Sequence, residues 1–169
     1  SNFEDLKMGM NGGQDSYLKK EYIQRIGIVD SIFANPDPRV QRSSGYQQLN
    51  YFGKLRYKVS ESLNLQYTFN YAGTSDAARY DRLIQYRNGR LRFAEWNYGP
   101  MLWRLHSLQA THKGKNKLYD EARYMVAYQN YEESRIDRTR ANNNRNRQQE
   151  NVDAISVNWD AFKKLEKSE

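Results

Sequence analysis

The sequence predicts an all-β chain, built as an antiparallel up-and-down meander of long strands. Residues 49–59 and 63–71 each alternate apolar and polar side chains with a period of two, which is typical of strands with two unlike faces. Each run is about ten residues long, whereas strands of globular proteins usually have about five or six. The connections between the predicted strands also alternate between short and long. Together these observations favour a series of long hairpins.

The predicted strands 48–59 and 62–72 form the first hairpin, with a short polar turn between them. The apolar residues of their alternation are Leu55, Tyr57, Leu65, Tyr67 and Phe69. The polar residues are Lys54, Arg56, Gln66 and Thr68. Because successive side chains of a strand point to opposite sides, we expect these two sets to occupy opposite faces of one sheet.

Further alternating segments bring the predicted total to about six strands. The additional strands are expected at 17–28, 100–112, 118–131 and 151–162. Short turns are expected at 60–62 and 113–117, and long connections at 29–46, 73–98 and 132–149. The last connection contains RTRANNNRNRQQ, which is polar and low in complexity, so we expect it to be mobile.

Several protein classes are disfavoured by composition. The chain has no cysteine and only two histidines, which leaves little for a metal site. No apolar run approaches the roughly 18 residues of a transmembrane helix. A membrane-crossing strand, however, needs only about 9–11 residues with every second one apolar. The sorting of connections into short turns at one rim and long loops at the other is typical of outer-membrane proteins. The pattern therefore predicts part of a large outer-membrane β-barrel, with 73–98 and 132–149 as long extracellular loops.

Three segments carry a resemblance to a known family. RYDRL at 79–83, GRLRFAEWNYGP at 89–100 and ENVDAISVNWDAFKKL at 150–165 resemble the barrel of TonB-dependent outer-membrane receptors. The resemblance implies a bacterial outer-membrane location and a barrel of about 22 strands filled by an N-terminal plug. Such a receptor imports a scarce small molecule of the iron-chelate, cobalamin or glycan type. Residues 1–169 would then be a partial barrel without a plug, and contact with the energy-coupling TonB complex would run through the parent protein's missing N-terminal part.

The connection 73–98 supplies the candidate ligand contacts. It combines arginines, which can hold a carboxylate with two parallel hydrogen bonds, with aromatic rings that can stack on a flat group. The candidates are Arg79, Tyr80, Arg82, Arg87 and Trp96. We expect an anionic or aromatic ligand rather than a neutral sugar. No catalytic residue, cofactor or metal ligand is expected, since paired carboxylates, glycine-rich phosphate loops and nucleophile motifs are absent from the sequence.

Two other functions remain open from the residues. The net charge of +7 would suit a soluble basic β-domain that binds single-stranded nucleic acid on aromatic rings. Against it, the predicted faces place Tyr57 and Tyr67 with leucines, and Lys54 and Arg56 opposite them. A surface adhesin is the other alternative. In an isolated piece of barrel, the apolar face would lose its lipid and the open sheet edges would recruit other chains, so self-association is expected.

Overall fold

The computed structural model describes residues 1–9 and 15–165, and it confirms the all-β prediction with 64% of residues in strands and 4% in helix. The strands are β1 Asn2–Phe3, β2 Glu21–Ile26, β3 Val29–Ala34, β4 Tyr46–Lys58, β5 Leu63–Thr74, β6 Ala77–Ala78, β7 Tyr86–Arg87, β8 Arg90–Leu91, β9 Phe93–Tyr98, β10 Met101–Lys113, β11 Glu121–Thr139 and β12 Asn146–Phe162. The helical elements are a 3-10 turn at Asp15–Tyr17 and the four-residue α1 at Tyr80–Leu83.

The long strands pair in chain order and confirm the predicted meander. The main sheet has the order β1-β4-β5-β10-β11-β9-β6, and β12 pairs with β11. β9 runs antiparallel to the last part of β11, with Arg135 opposite Tyr98 and Ile136 opposite Asn97. Two small hairpins stand outside this sheet, β2 with β3 and β7 with β8.

The extents of four segments differ from the sequence prediction. The connection expected at 73–98 ends in strand β9, Phe93–Tyr98, which pairs with β11. The strand expected at 17–28 is wrong in extent, because it turns back at Gly27, which has a φ of +61°, to form the β2–β3 hairpin. β3 accordingly occupies the start of the connection expected at 29–46. Most of the connection expected at 132–149 is strand, since β11 continues to Thr139 and β12 begins at Asn146.

The chain divides into two compact units. Of the described residues, the first unit comprises 1–9, 15–49, 73–102 and 132–151, and the second comprises 50–72, 103–131 and 152–165. Buried residues of the first unit include Leu91, Phe93 and Ile136, together with the polar Ser134 and Arg138.

One face of the second unit is apolar. The Tyr67 hydroxyl lies 2.7 Å from Nδ1 of His106, whose ring centroid is 5.0 Å from that of Phe69. Farther along the sheet, the rings of Tyr124 and Trp159 stack at 6.1 Å with an interplanar angle of 12°. The alternation therefore places large apolar and aromatic side chains on one side of neighbouring strands, as predicted for Tyr67 and Phe69.

The opposite face of the second unit is polar. Arg56 donates a hydrogen bond to Gln66 at 3.4 Å, and the Trp103 Nε1–H group donates to Gln129 at 3.3 Å. A cleft of about 290 Å³ lies on this side. Its lining includes Arg56, Gln66, Gln109, Thr111, Lys113, Glu121 and Arg123. Arg56 and Gln66, which were predicted to lie on the same face, thus share a surface of hydrophilic side chains.

Gly99 is the position in the β9–β10 connection where only glycine fits. Its φ is +105°, a conformation that residues with a Cβ rarely adopt, and an added Cβ would lie 2.6 Å from the Ser75 carbonyl oxygen. Its N–H group donates to the Ser134 carbonyl at 2.7 Å, so the backbone is held in place.

We expect Gly99→Ala to lower the free energy of unfolding by about 1–3 kcal/mol, since the new methyl group adds both strain and a backbone clash. Chemical denaturation in detergent, followed by tryptophan fluorescence, measures the change. Gly53→Ala in β4 is the matched control, because nothing lies within 4 Å of its added Cβ. A loss at Gly53 as large as that at Gly99 would contradict the explanation.

Candidate ligand-binding site

The Arg79 guanidinium already hydrogen-bonds Asp81 and contacts two aromatic rings within the first unit. Its Nε and Nη2 atoms hold the two carboxylate oxygens of Asp81 at 3.0 and 2.6 Å. Its guanidinium also lies 4.8 Å from the ring centroid of Trp96 and 5.8 Å from that of Tyr98. The hydrogen bond from Arg79 lowers the pKa of the Asp81 carboxyl. Because Asp81 occupies the fork of the guanidinium, a ligand carboxylate would have to displace it.

Three other predicted residues gather around the same short helix. The Arg82 guanidinium lies 5.9 Å from the Trp96 ring centroid. Its buried Nε has no hydrogen-bond partner, since the nearest Asp81 oxygen is 4.0 Å away. The Tyr80 hydroxyl lies 3.4 Å from the Tyr17 carbonyl oxygen, and burial raises the pKa of the Tyr80 phenol. Thus Arg79 and Arg82 cluster on the Trp96 ring, whereas Tyr80, on the same short helix, contacts Tyr17 instead.

Arg87 lies in a different place, at the end of the β7–β8 hairpin. Asn88 and Gly89 form the two-residue turn, with φ values of +53° and +71°. Positive φ at both positions is the geometry of a type I′ turn, for which Asn-Gly is a preferred sequence. The turn places Arg87 directly opposite Arg90 in the register of the hairpin.

A cleft of about 550 Å³ lies beside this hairpin, and we call it the arginine cleft. Its lining residues are Arg87, Asn88, Arg90, Leu91, Arg92, Thr139, Arg140 and Ala141. Four of these eight residues are arginines and none is acidic. The Arg140 N–H group donates to the Arg92 carbonyl at 2.9 Å, which joins the two sides of the cleft. The buried Nε of Arg140 has no hydrogen-bond partner.

Acidic residues of the same unit are engaged with other arginines. Asp30 receives hydrogen bonds from Arg138 at 2.7 and 2.8 Å and from the Ala141 N–H group at 2.9 Å. The hydrogen bonds from Arg138 hold the pKa of the Asp30 carboxyl below its usual value. Glu95 binds Arg145 through contacts of 2.6 to 3.0 Å. The arginine cleft has no carboxylate among its own lining residues, although Asp30 accepts its hydrogen bond from Ala141 at the edge of the cleft.

Of the cleft arginines, sequence reasoning named only Arg87 as a candidate. The Asn-Gly pair between Tyr86-Arg87 and Arg90-Leu91 is a recognisable hairpin signal, and it could have placed Arg90 beside Arg87. Arg140 could not have been found in this way. Its position follows from the pairing of β11 with β9, where Thr139 lies opposite Phe93.

Metal binding, membrane-spanning helices and similarity to known proteins were also considered. Within residues 1–9 and 15–165, no group of three or more His, Cys, Asp or Glu side chains could hold a metal ion. None of the helices in the described part of the chain is long and apolar enough to cross a membrane.

No family model, curated protein or solved structure matches the chain. The resemblance to TonB-dependent receptors therefore stays a prediction.

Proposed function

We propose that this chain forms part of the barrel wall of a TonB-dependent transporter in the bacterial outer membrane, which binds and imports a scarce small molecule. The supporting observation is the two-faced sheet of the second unit. Its polar side carries Arg56, Gln66 and Arg123, as a water-filled lumen would require. Its other side presents large apolar residues outward, as a surface in contact with lipid would require.

The apolar face is too extensive to be an ordinary water-exposed surface. It includes Leu55, Tyr57, Tyr67, Tyr124, Val126, Tyr128, Ile155, Val157 and Trp159, all of which are exposed. Exposing apolar surface to water costs about 25 cal/mol per Å². Soluble monomers rarely expose continuous apolar patches of more than a few hundred Å². Contact with lipid would remove the apolar face of all these strands from water and so avoid this free-energy cost.

A polar band bounds the apolar zone at one end. Arg104 donates to the Asn130 side chain at 2.8 Å, and Asn130 donates to Asp153 at 3.0 Å. The Tyr128 hydroxyl also donates to Asp153, at 2.6 Å. Beyond this band, the alternating apolar stretch of β12 extends from Ile155 to Ala161. A tilted strand crosses a bilayer with roughly 9–11 residues, and this stretch covers most of that length.

The edges of the main sheet favour a larger assembly. Among the described residues, β12 has β11 as its single strand neighbour, and β4 has only the two-residue β1 besides β5. Open edges of such length attract further strands. In the proposed transporter, neighbouring strands of the same barrel occupy both edges. In the isolated chain, copies of the chain itself would take that place.

Two single-tryptophan variants test the lipid-facing assignment. Trp159 lies on the apolar face and is 64% exposed, whereas Trp103 hydrogen-bonds Gln129 on the polar face. One variant keeps Trp159 and the other keeps Trp103, with the remaining tryptophans changed to Phe. In micelles of brominated dodecyl maltoside, we expect strong quenching of Trp159 fluorescence and weak quenching of Trp103. Equal quenching of the two, with unchanged strand content by circular dichroism, would refute the assignment.

A further inference from the structure

We propose that the arginine cleft binds a small polyanion that carries two or more carboxylate or phosphate groups. The ligand-binding residues are Arg87, Arg90, Arg92 and Arg140. Binding depends on the geometry of the first unit and not on its membrane environment. Only the further step, that this polyanion is the imported ligand, rests on the proposed transport function.

The first argument is the charge of the cleft. Arg87 and Arg90 are direct cross-strand neighbours, and like charges in that position destabilise a hairpin. The type I′ turn at Asn88-Gly89 fixes this pairing, so the two guanidinium groups cannot separate by a shift in register. Because the cleft lining contains no carboxylate, an anion that bridges the two arginines would remove the repulsion.

The second argument is an unused donor. The Nε of Arg140 is buried and has no hydrogen-bond partner, although the backbone of this residue is fixed by the Arg92 carbonyl oxygen. Buried polar groups in folded proteins almost always have a partner. Arg140 lines the arginine cleft, so a small shift of its side chain would let an entering oxyanion accept this hydrogen bond.

The third argument is size. The volume of about 550 Å³ falls within the range of roughly 300–1,000 Å³ that is usual for small-molecule sites. A single phosphate ion would engage only part of such a lining. A molecule with several oxyanion groups could engage arginines on both sides, each through two parallel hydrogen bonds. The Arg79 cluster is less suited to this role, because Asp81 already occupies its guanidinium fork.

Calorimetric titration of the purified chain in detergent tests the proposal. The probes are citrate, which carries three carboxylates, pyrophosphate, inorganic phosphate and a neutral disaccharide. We expect at least one polyanion to bind more tightly than inorganic phosphate, and no binding of the disaccharide. Comparing citrate with pyrophosphate identifies which oxyanion the cleft prefers. Added salt should weaken the binding, since the contacts are ionic.

Substitutions locate the site. Arg90→Gln and Arg140→Gln should each weaken binding by about tenfold, the usual effect of losing one charged hydrogen bond. Lys54→Gln removes the same charge from β4 and should leave affinity unchanged. Circular dichroism confirms that each variant is folded. Because these readouts need no lipid contact, they can succeed or fail independently of the brominated-detergent experiment.

Four outcomes would overturn the proposal. The first is that neither polyanion binds, and the second is that inorganic phosphate binds as tightly as both polyanions. The third is an equal loss of affinity in Lys54→Gln, which would indicate a general charge effect rather than a built site. The fourth is a single-stranded oligonucleotide that binds more tightly than both polyanions and displaces them. That outcome would favour the nucleic-acid alternative.

Discussion

Asp30→Asn is expected to lower the free energy of unfolding by about 3 kcal/mol, because it leaves the buried Arg138 guanidinium without its main counter-charge. The Asp30 and Arg138 side chains are 2% and 5% exposed and are joined by two hydrogen bonds. Breaking a buried pair by removing one partner generally costs about 3–5 kcal/mol. We expect the lower end of that range, since Glu95 remains 3.9 Å from the Arg138 Nε. Denaturant titration in detergent measures the change.

Two further variants separate this explanation from a general effect of losing a carboxylate. Glu61→Gln removes the partner of Lys58 in an exposed pair and should change stability far less. Replacing both members of the buried pair, Asp30→Val with Arg138→Met, should cost less than Asp30→Asn alone, because no unpaired charge remains. A double variant that is less stable than the single variant would show that the pair matters for another reason.

If the chain forms part of the proposed outer-membrane barrel, Val157→Arg is expected to destabilise that barrel by about 2–4 kcal/mol at a position near the bilayer midplane. Val157 is 71% exposed on the apolar face of β12, where the proposed environment is lipid. The cost arises because a guanidinium cannot be hydrated in the hydrocarbon layer.

The matched control is Asn158→Arg, one residue along β12 on the opposite face. Its new side chain would point towards the aqueous lumen, so the change in stability should be small. Urea titrations of the barrel that contains these strands, refolded into phosphatidylcholine vesicles, compare the two variants. Equal costs at positions 157 and 158 would be incompatible with a lipid-facing apolar side.

The long strands could be predicted from sequence because the alternation that marks a strand depends only on residues next to each other in the chain. Alternation in 48–59 and 62–72 requires only neighbouring residues, and the turn between them is marked by polar residues. The prediction of a loop at 132–149 was wrong over most of its length. Composition favoured a mobile loop there, but Ser134, Ile136 and Arg138 are buried at every second position of β11. Burying Arg138 is tolerable only because Asp30, 108 residues away, lies beside it.

In the candidate site, too, contacts between residues close in sequence were predictable, and contacts between distant residues were not. Arg79, Tyr80 and Arg82 are neighbours in sequence, and the structure brings the Trp96 ring against Arg79 and Arg82. What sequence could not reveal was that Asp81 already holds the Arg79 guanidinium. The arginine cleft depends on strand pairing over about fifty residues, from Arg92 to Arg140, so no local pattern could have indicated it.

The strict alternation of β12 has a genetic consequence. Losing the single codon for Ser156 would shift every later residue of the strand by one place, which turns Val157 and Trp159 to the polar side and Asn158 and Asp160 to the apolar side. Losing two adjacent codons would shorten the strand but restore the original sides. Inherited variation in this part of the gene should therefore favour in-frame deletions of six nucleotides over deletions of three.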